Sequence, residues 1–570
     1  MQRVDNGKIR PGWQKLIYDH GLVYNPTEMP DGTVKSYWRE GKFYTFTLPQ
    51  VERMEKDAIT VFKMVEAAGW YILRHPEILR KMGIPELAWP MIKNSWRREP
   101  DWGSVYGRFD FRYDGEQLSL LEFNADTPTS LLESAIAQHY WHTQTGQGTD
   151  QWNRIFEALV EAWGRNLLQI KEHLGYKPTV VFVYDETDES GEDYGNILTN
   201  EDACRAAGYN TRNMSIQDIC YNSEDGRFYE SADGPHLDVV FKLYPWEMMV
   251  EDDFAEAAFR DMARPGGTIW IEPPYKMLWS NKGILAVLWK LFGTDPEKSQ
   301  LLLPAYFEDE MPEDWKTYVL KPLLGREGAN VRIVKNGEVI VDMEGPYDGP
   351  AIVQAFAPLP NFPGFNDKGV HEANHPVLGI WMIDGVPAGL GIRESSGLVT
   401  DNLSHFVPHV IDYEDESRLR KWWKYVSRLF ASVSRECSRR CDSVRNRNAV
   451  RGRAVAHREQ DHPVQRQRSA VQQGRHCLHH STPITGRRSS DRHAPHLQVL
   501  HSRRWLWGHR MDVTGRCVGI RRAFVGASGR RLGRAAQSAQ YRRAPEGQQG
   551  CRGGRGRVLH LRRLRSERFA

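Results

Sequence analysis

Arg108, Asp110, Glu122 and Asn124 lie close together in YGRFDFRYDGEQLSLLEFNADTPTS, residues 106–130. Two carboxylates and an amide oxygen are hard ligands that suit Mg²⁺, whose remaining positions are usually filled by water and substrate phosphates. A nearby guanidinium adds a partner for phosphate oxygens, so phosphoryl chemistry is the first reading. The elements that must position these groups are two short strands. Phe109, Phe111 and Tyr113 alternate with Arg108, Asp110 and Arg112, and Leu121 and Phe123 alternate with Glu122 and Asn124, the period of half-buried strands. Asp114-Gly115 supplies the turn. A two-residue loop would pair Tyr113 with Glu116 and set Asp110 on the face opposite Glu122 and Asn124. A three-residue loop, Asp114 to Glu116, would pair Tyr113 with Gln117 and collect all four polar residues on one face. The same alternation also describes an ordinary amphipathic hairpin with a solvated polar face.

A second group of candidates follows a strand at 317–320. It opens with Lys321-Pro322, continues through Gly325, Arg326 and Gly328, and leads into a strand at 331–334. Two glycines let the backbone approach phosphate closely, while Arg326 offers a planar fork and Lys321 a point charge. With its charged tip unheld, such a loop should order only over a bound nucleotide; the plainer alternative is a surface turn. Lys282 opens a helix through Leu285, Leu288 and Leu291. The strand Ile352–Phe356, with Gln354 and Phe356, could offer backbone groups to an adenine edge. Arg393 closes a strand pair at 379–383 and 388–392, and His405 and His409 follow without an assigned role.

Residues 1–46 read as an irregular aromatic cover, and Thr47-Leu-Pro-Gln50 as a capping box opening a long amphipathic helix to about His75. The polar turn 127–130 before a helix at 131–139 should aim backbone N–H groups at the metal face. Helices at 153–173, 200–207 and 251–264 alternate with strands at 179–184, 236–244 and 268–271. That alternation predicts an α/β class with a Rossmann-like parallel layer. No GxGxxG follows a strand and no Walker A sequence occurs, so a nucleotide would be held in another way.

The net charge of +3 conceals two unlike segments. Residues 1–434 carry 44 Lys+Arg against 65 Asp+Glu, whereas residues 435–570 carry 32 Arg, no Lys and 8 acids. Five of seven cysteines lie in the second segment, so the body has no disulfide framework and a reducing, cytoplasmic location is expected. No apolar run is long enough to span a membrane, and none near the start reads as a signal peptide. We expect 412–434 to form a terminal helix and 435–570 to be an Arg/His-rich tail, disordered or translated out of frame. The tail is not read as nucleic-acid binding, because it has little aromatic interleaving and no zinc spacing among Cys437, Cys441, His457 and His462.

RFDF, LEFNADTPTS, FKLYPWE, SNKGILAVLW, LLPAYF, KPLLGREGANV, VQAF, GIRE and GLVTDNLSHFVPH occur in one order between residues 12 and 411. Together they resemble the glutathionylspermidine synthase family, its ligase part only, an ATP-grasp-like body whose metal ligands precede the nucleotide lysines. The resemblance implies ATP and Mg²⁺ as cofactors and an amide made from a small, peptide-like carboxylate and an amine through an acyl phosphate. It implies that Asp110, Glu122 and Asn124 hold the metal and Arg108 contacts the transferring phosphate and acyl group. Lys282 and Lys321 would hold phosphates, with Gly325 and Gly328 in the covering loop, Gln354 to Phe356 at the adenine, and Arg326 and Arg393 as positive clamps. Thr127 and Thr129 replace serines of the glutathionylspermidine synthases, and Leu243 replaces a threonine. The better match is therefore to the stand-alone acid–amine ligases of the family, and glutathione and spermidine are not implied. A non-catalytic ATP- and Mg²⁺-binding module and a metal-dependent phosphohydrolase are the rival functions.

Overall fold

The computed structural model describes residues 1–28, 34–98, 103–188, 190–347, 349–366, 369–412 and the backbone of 558–560. Tyr106–Tyr113 and Leu118–Asn124 form the expected hairpin. Its register differs from both loop readings. Tyr113 pairs with Leu118 across a four-residue loop, in which Asp114 Oδ1 accepts from the N–H groups of Glu116 and Gln117. Four residues alone would give the wrong parity. The ladder shifts between Asp110 and Phe111, so that Phe111 pairs with Leu120 and Asp110 with Glu122. Leu121 is thus the extra residue of a β-bulge, and the bulge returns Arg108, Asp110, Glu122 and Asn124 to one face.

The hairpin is the edge of a five-stranded antiparallel sheet that continues through His375–Ile383, Val386–Ser395 and His405–Phe406. Gly379 pairs with Asp110 on one side and with Gly391 on the other. A Cβ on Gly379 would stand 2.8 Å from Arg108 Cδ, and one on Gly391 would stand 2.4 Å from Ser134 Oγ. Both positions need a residue without a side chain because the site lies directly over them.

A second antiparallel sheet runs Ala305–Phe307, Ala351–Ala355, Tyr318–Pro322, Arg332–Lys335, Glu338–Asp342. The expected Rossmann-like layer is present as four parallel strands in the order Ile269–Ile271, Val239–Lys242, Thr179–Tyr184, Asn210–Ser215. Helix Ile155–Leu174 buries Ile155, Leu159, Trp163, Leu167 and Ile170, with Phe182 and Phe241 of this layer in the same core. Helix Glu192–Ala206 begins two turns earlier than the helix expected at 200–207. Helix Leu48–Ile72 opens on the predicted Thr47 and Gln50 capping box. The irregular cover is anchored: Phe43–Phe46 pairs with Gln2–Val4 and, in parallel, with His409–Ile411. Among the described residues no helix is long and apolar enough to cross a membrane.

The long helix carries a titration. Glu55 is 5% exposed and its Oε2 has no hydrogen-bond partner. Burial, reinforced by Glu52 and opposed by Arg154, pushes its carboxyl up to about 8 from 4.5. The native chain therefore binds more protons than the unfolded chain between those values, and stability falls as pH rises through that window. Glu55→Gln should leave the urea midpoint nearly unchanged at pH 5 and stabilise by about 2 kcal/mol at pH 8. The same increment at both pH values would contradict this account.

The expected helix at 412–434 and the character of the tail lie outside the described residues, apart from Val558–His560, which pairs with Cys220–Asn222 at a sheet edge. The main core already closes at Ile411. A chain ending at Ser434 should melt within about 2 °C of the full chain and bind ATP equally well. A large loss of either would show that the basic segment supports the body.

Candidate active site

One cavity of about 250 Å³ collects all twelve residues singled out from the sequence. At its hairpin wall, Arg108 Nε and Nη2 donate to the two oxygens of Asp110 at 2.7 and 2.9 Å, and Nη1 donates to the Thr129 carbonyl. Burial raises the Asp110 carboxyl against the pull of Arg108. Opposite it, Glu122 meets Lys282 Nζ at 3.1 Å. Burial works against its charge, but Lys282 and then Lys321 hold it down to about 2. The Asn124 amide nitrogen bridges the pair, donating to Asp110 Oδ2 and Glu122 Oε1 at 3.0 Å each.

This donor set fits magnesium. Among the described residues no group of three His, Cys, Asp or Glu side chains could form a full metal cage. Two carboxylates and an amide instead leave positions for water and phosphate, as Mg²⁺ requires. A cation here would call for the Asn124 carbonyl oxygen in place of its NH₂, a half-turn of the amide.

The lysines come from two directions. Lys282 precedes helix Gly283–Phe292, and its Nζ also donates to the Gly325 carbonyl at 2.5 Å. The preceding Ser280 Oγ accepts from the N–H groups of Ala125 and Asp126, which pins this corner to the end of the hairpin. Lys321 Nζ donates to the Leu121 carbonyl at the bulge, 3.1 Å, and to Gln354 Oε1, 2.8 Å. Burial and Lys282 lower its pKa to about 8, with Glu122 opposing. Gln354 is buried and spends its amide on Lys321 and on the Leu120 carbonyl at 3.1 Å. Its backbone is paired with Ala305 and Val319, and its side-chain oxygen holds the Lys321 ammonium. Phe356 lies just beyond the paired strand and lines the cavity.

The glycine loop is better held than its sequence suggests. Arg326 Nη2 donates to Glu247 at 2.8 Å and to Thr127 Oγ1 at 3.0 Å, and Asn402 donates to Glu327. Gly328, with φ +73°, has room for no side chain: a Cβ would stand 2.7 Å from the Thr400 carbonyl. The unheld tip expected from the sequence is therefore not observed, because Glu247 supplies a counter-charge. Sequence reasoning misses Glu247 although it ends the FKLYPWE run. Asp126 fixes the segment before it, accepting from Lys242 Nζ at 2.7 Å and from the Trp246 N–H at 2.8 Å.

Arg393 donates to the Asp401 carbonyl at 2.5 Å, lies 5.9 Å over the Tyr37 ring, and keeps an unpartnered Nε. Glu133 and Glu192 interact with it electrostatically. Glu133 accepts from the Tyr37 hydroxyl at 2.6 Å, and burial followed by Glu133 raises Glu192 to about 7. One expectation fails nearby. The Leu131 N–H is taken by Asn196 at 2.9 Å and does not face the metal side chains. His409 is structural: fully buried, 3.0 Å from Gln138 Oε1, with burial holding its pKa down near 3.

The cavity brings the carboxylates of Asp110, Glu122, Glu247 and Glu327 and the amides of Asn124 and Gln354 together with five cations. Residues 4–412 match the family model described as glutathionylspermidine synthase preATP-grasp. The chain belongs to this family. A candidate acid–amine ligase of Haemophilus influenzae is 36% identical, over 72% of this chain and 99% of that protein. Trypanothione synthetase of Crithidia fasciculata is 27% identical, over 72% of this chain and 63% of that one. The bifunctional glutathionylspermidine synthetase/amidase of Escherichia coli is 26% identical, over 53% of this chain and 49% of that one, so the chain spans about half of that enzyme. A glutathione synthetase-like effector from Globodera pallida covers 70% of this chain and 95% of its own, at 12% identity and a TM-score of 0.42. The family relatives are ligases and synthetases that form C–N bonds, and this chain is an enzyme of that kind.

Proposed function

We propose that the chain is an ATP- and Mg²⁺-dependent carboxylate–amine ligase that makes an amide through an acyl phosphate and releases ADP and phosphate. The observation that carries this reading is the single cavity in which five cations surround the Asp110, Glu122 and Asn124 set. Among the described residues neither His nor Cys lines it, so it offers no protein nucleophile paired with an imidazole. Activation must then occur on the substrate carboxylate, which phosphorylation by ATP accomplishes.

Each residue has a distinct task. Bound Mg²⁺ would supply charge neutralisation on phosphate oxygens, held by Asp110, Glu122 and Asn124. Lys282 and Lys321 reach the site from opposite elements and would hold the nucleotide phosphates. Arg326, on the loop above, would stabilise charge on the transferring group. Arg108 and Arg393 would draw in the carboxylate and align it for attack on the γ-phosphate, a step that rests on positioning and fixed charge. The peptide-like character of the acid is part of this proposal. So is a cytoplasmic site of action.

The test is ADP release with mixed pools of carboxylic acids and primary amines. Release that requires both pools supports a ligase. Release with neither would identify a phosphohydrolase, and ATP binding without turnover under any pairing would identify a binding module.

A further inference from the structure

Arg326 is held by two groups, Glu247 Oε1 at 2.8 Å and Thr127 Oγ1 at 3.0 Å. One side chain reaches the segments that carry both. Asp126 precedes Thr127, and its Oδ2 accepts the N–H of Trp246, the residue before Glu247, at 2.8 Å across 120 positions of chain. Its Oδ1 takes Lys242 Nζ at 2.7 Å. The Asp126 N–H donates in turn to Ser280 Oγ at 2.8 Å, on the segment that leads into Lys282. Thr127, Glu247, Lys282 and Arg326 all line the catalytic cavity, whereas Asp126 and Lys242 lie behind its wall. Stability alone does not account for so deep a pair. The Lys242 and Asp126 side chains are 0% and 2% exposed, and at such depth the desolvation of two charges offsets most of their attraction, so apolar side chains of like volume would hold the core as well. What an apolar pair lacks is an acceptor for the Trp246 N–H, one of the donors left unpaired where helix Trp246–Met249 begins.

We infer that Asp126 is a positioning residue for Arg326: by holding Trp246 beside Thr127 it fixes both partners of the guanidinium, and with them the place from which the glycine loop delivers it to the transferring phosphate. Lys242 is the anchor of this arrangement. It ends strand Val239–Lys242 of the parallel layer, and its ammonium lies 4.6 Å over the Trp246 ring while it meets Asp126. The parallel layer, which contributes no side chain of its own strands to the cavity, thus sets the geometry of the loop through one buried carboxylate. The inference rests on the ligase reading for what Arg326 does in the reaction, and on hydrogen bonds alone for how Arg326 is held.

The experiment compares two paired variants of the full chain. Asp126→Ala with Lys242→Met removes the charges and the acceptor, and Asp126→Asn with Lys242→Met removes the charges but keeps an acceptor for the Trp246 N–H. Without nucleotide, hydrogen exchange at Leu324 to Asn330 should be about fivefold faster than in the parent for the alanine pair and return toward the parent rate for the asparagine pair. In ADP release with the acid and amine pools, the alanine pair should lose about tenfold in kcat while the ATP dissociation constant changes by less than about threefold, and the asparagine pair should recover most of that loss. Introduced into Arg326→Ala, the alanine pair should cost less than about twofold, because the group it positions is already gone. Asp126→Leu with Lys242→Met puts the same questions with the space refilled, should the alanine pair fail to fold. Loop exchange indifferent to loss of the acceptor, or an equal cost in kcat with and without Arg326, would overturn the inference. If exchange responds as expected and the parent releases no ADP with any acid and amine, the anchoring of Arg326 stands and the ligase reading falls.

Discussion

Glu122→Gln should lower ligase turnover by about a thousandfold, the loss of roughly 4 kcal/mol of transition-state stabilisation, while the chain keeps its fold. The substitution preserves volume and removes one of the two carboxylates proposed to hold the metal. Lys282 retains the Gly325 carbonyl and Lys321 retains Gln354 and the Leu121 carbonyl, so neither ammonium is stranded. Asp110→Asn should abolish turnover to the same extent but differ in stability. Asp110 is the bidentate partner of Arg108, and both side chains are nearly buried, at 13% and 11% exposed. Removing that carboxylate leaves a guanidinium without its counter-charge, which costs about 3–5 kcal/mol in comparable buried pairs. Thermal melts and ADP-release rates of the two variants check both statements. Normal turnover in either would remove the metal from this face of the hairpin.

Arg326→Ala should reduce kcat about a hundredfold and change the ATP dissociation constant by less than about threefold. A guanidinium that acts on charge developing during phosphoryl transfer is worth far more in the transition state than in the ground state. Without nucleotide, Arg326 is held by Glu247 and Thr127, and the loop reaches Asn402 through Glu327. Binding of Mg·ATP must therefore exchange one anion for another. The loop from Leu324 to Asn330 should gain hydrogen-exchange protection on that exchange. Equal protection with and without Mg·ATP would make it a fixed turn, and turnover in Arg326→Ala should then match the parent chain.

Much of this site is legible in the sequence because its chemistry is local. Alternation on either side of Asp114-Gly115 identifies two strands, and the ligand types follow from charge and hardness. The register is not legible. It depends on a bulge at Leu121, stabilised where the Lys321 ammonium meets the Leu121 carbonyl, and that contact joins residues 200 positions apart. Gly379 and Gly391 read as ordinary strand glycines until Arg108 and Ser134 are seen above them. Gln354 shows the same limit. Its place on a strand is readable, but only the fold shows its amide committed to Lys321 and Leu120. Glu192 and Asp193 lie ahead of the helix expected at 200–207, yet they open it. The periodicity at 200–207 marks that helix but not its first turns, because charge density outweighs periodicity in the window before it.

The most direct test of the central claim uses an acid substrate identified from the pools and labelled with ¹⁸O in its carboxylate. Attack of that carboxylate on the γ-phosphate followed by amine displacement must carry one carboxylate oxygen into the phosphate released. Mass spectrometry of the phosphate should find one ¹⁸O per amide formed, with the second retained in the amide carbonyl. Unlabelled phosphate accompanying amide formation would contradict an acyl phosphate and, with it, the roles proposed for Arg108, Lys282, Lys321 and Arg326.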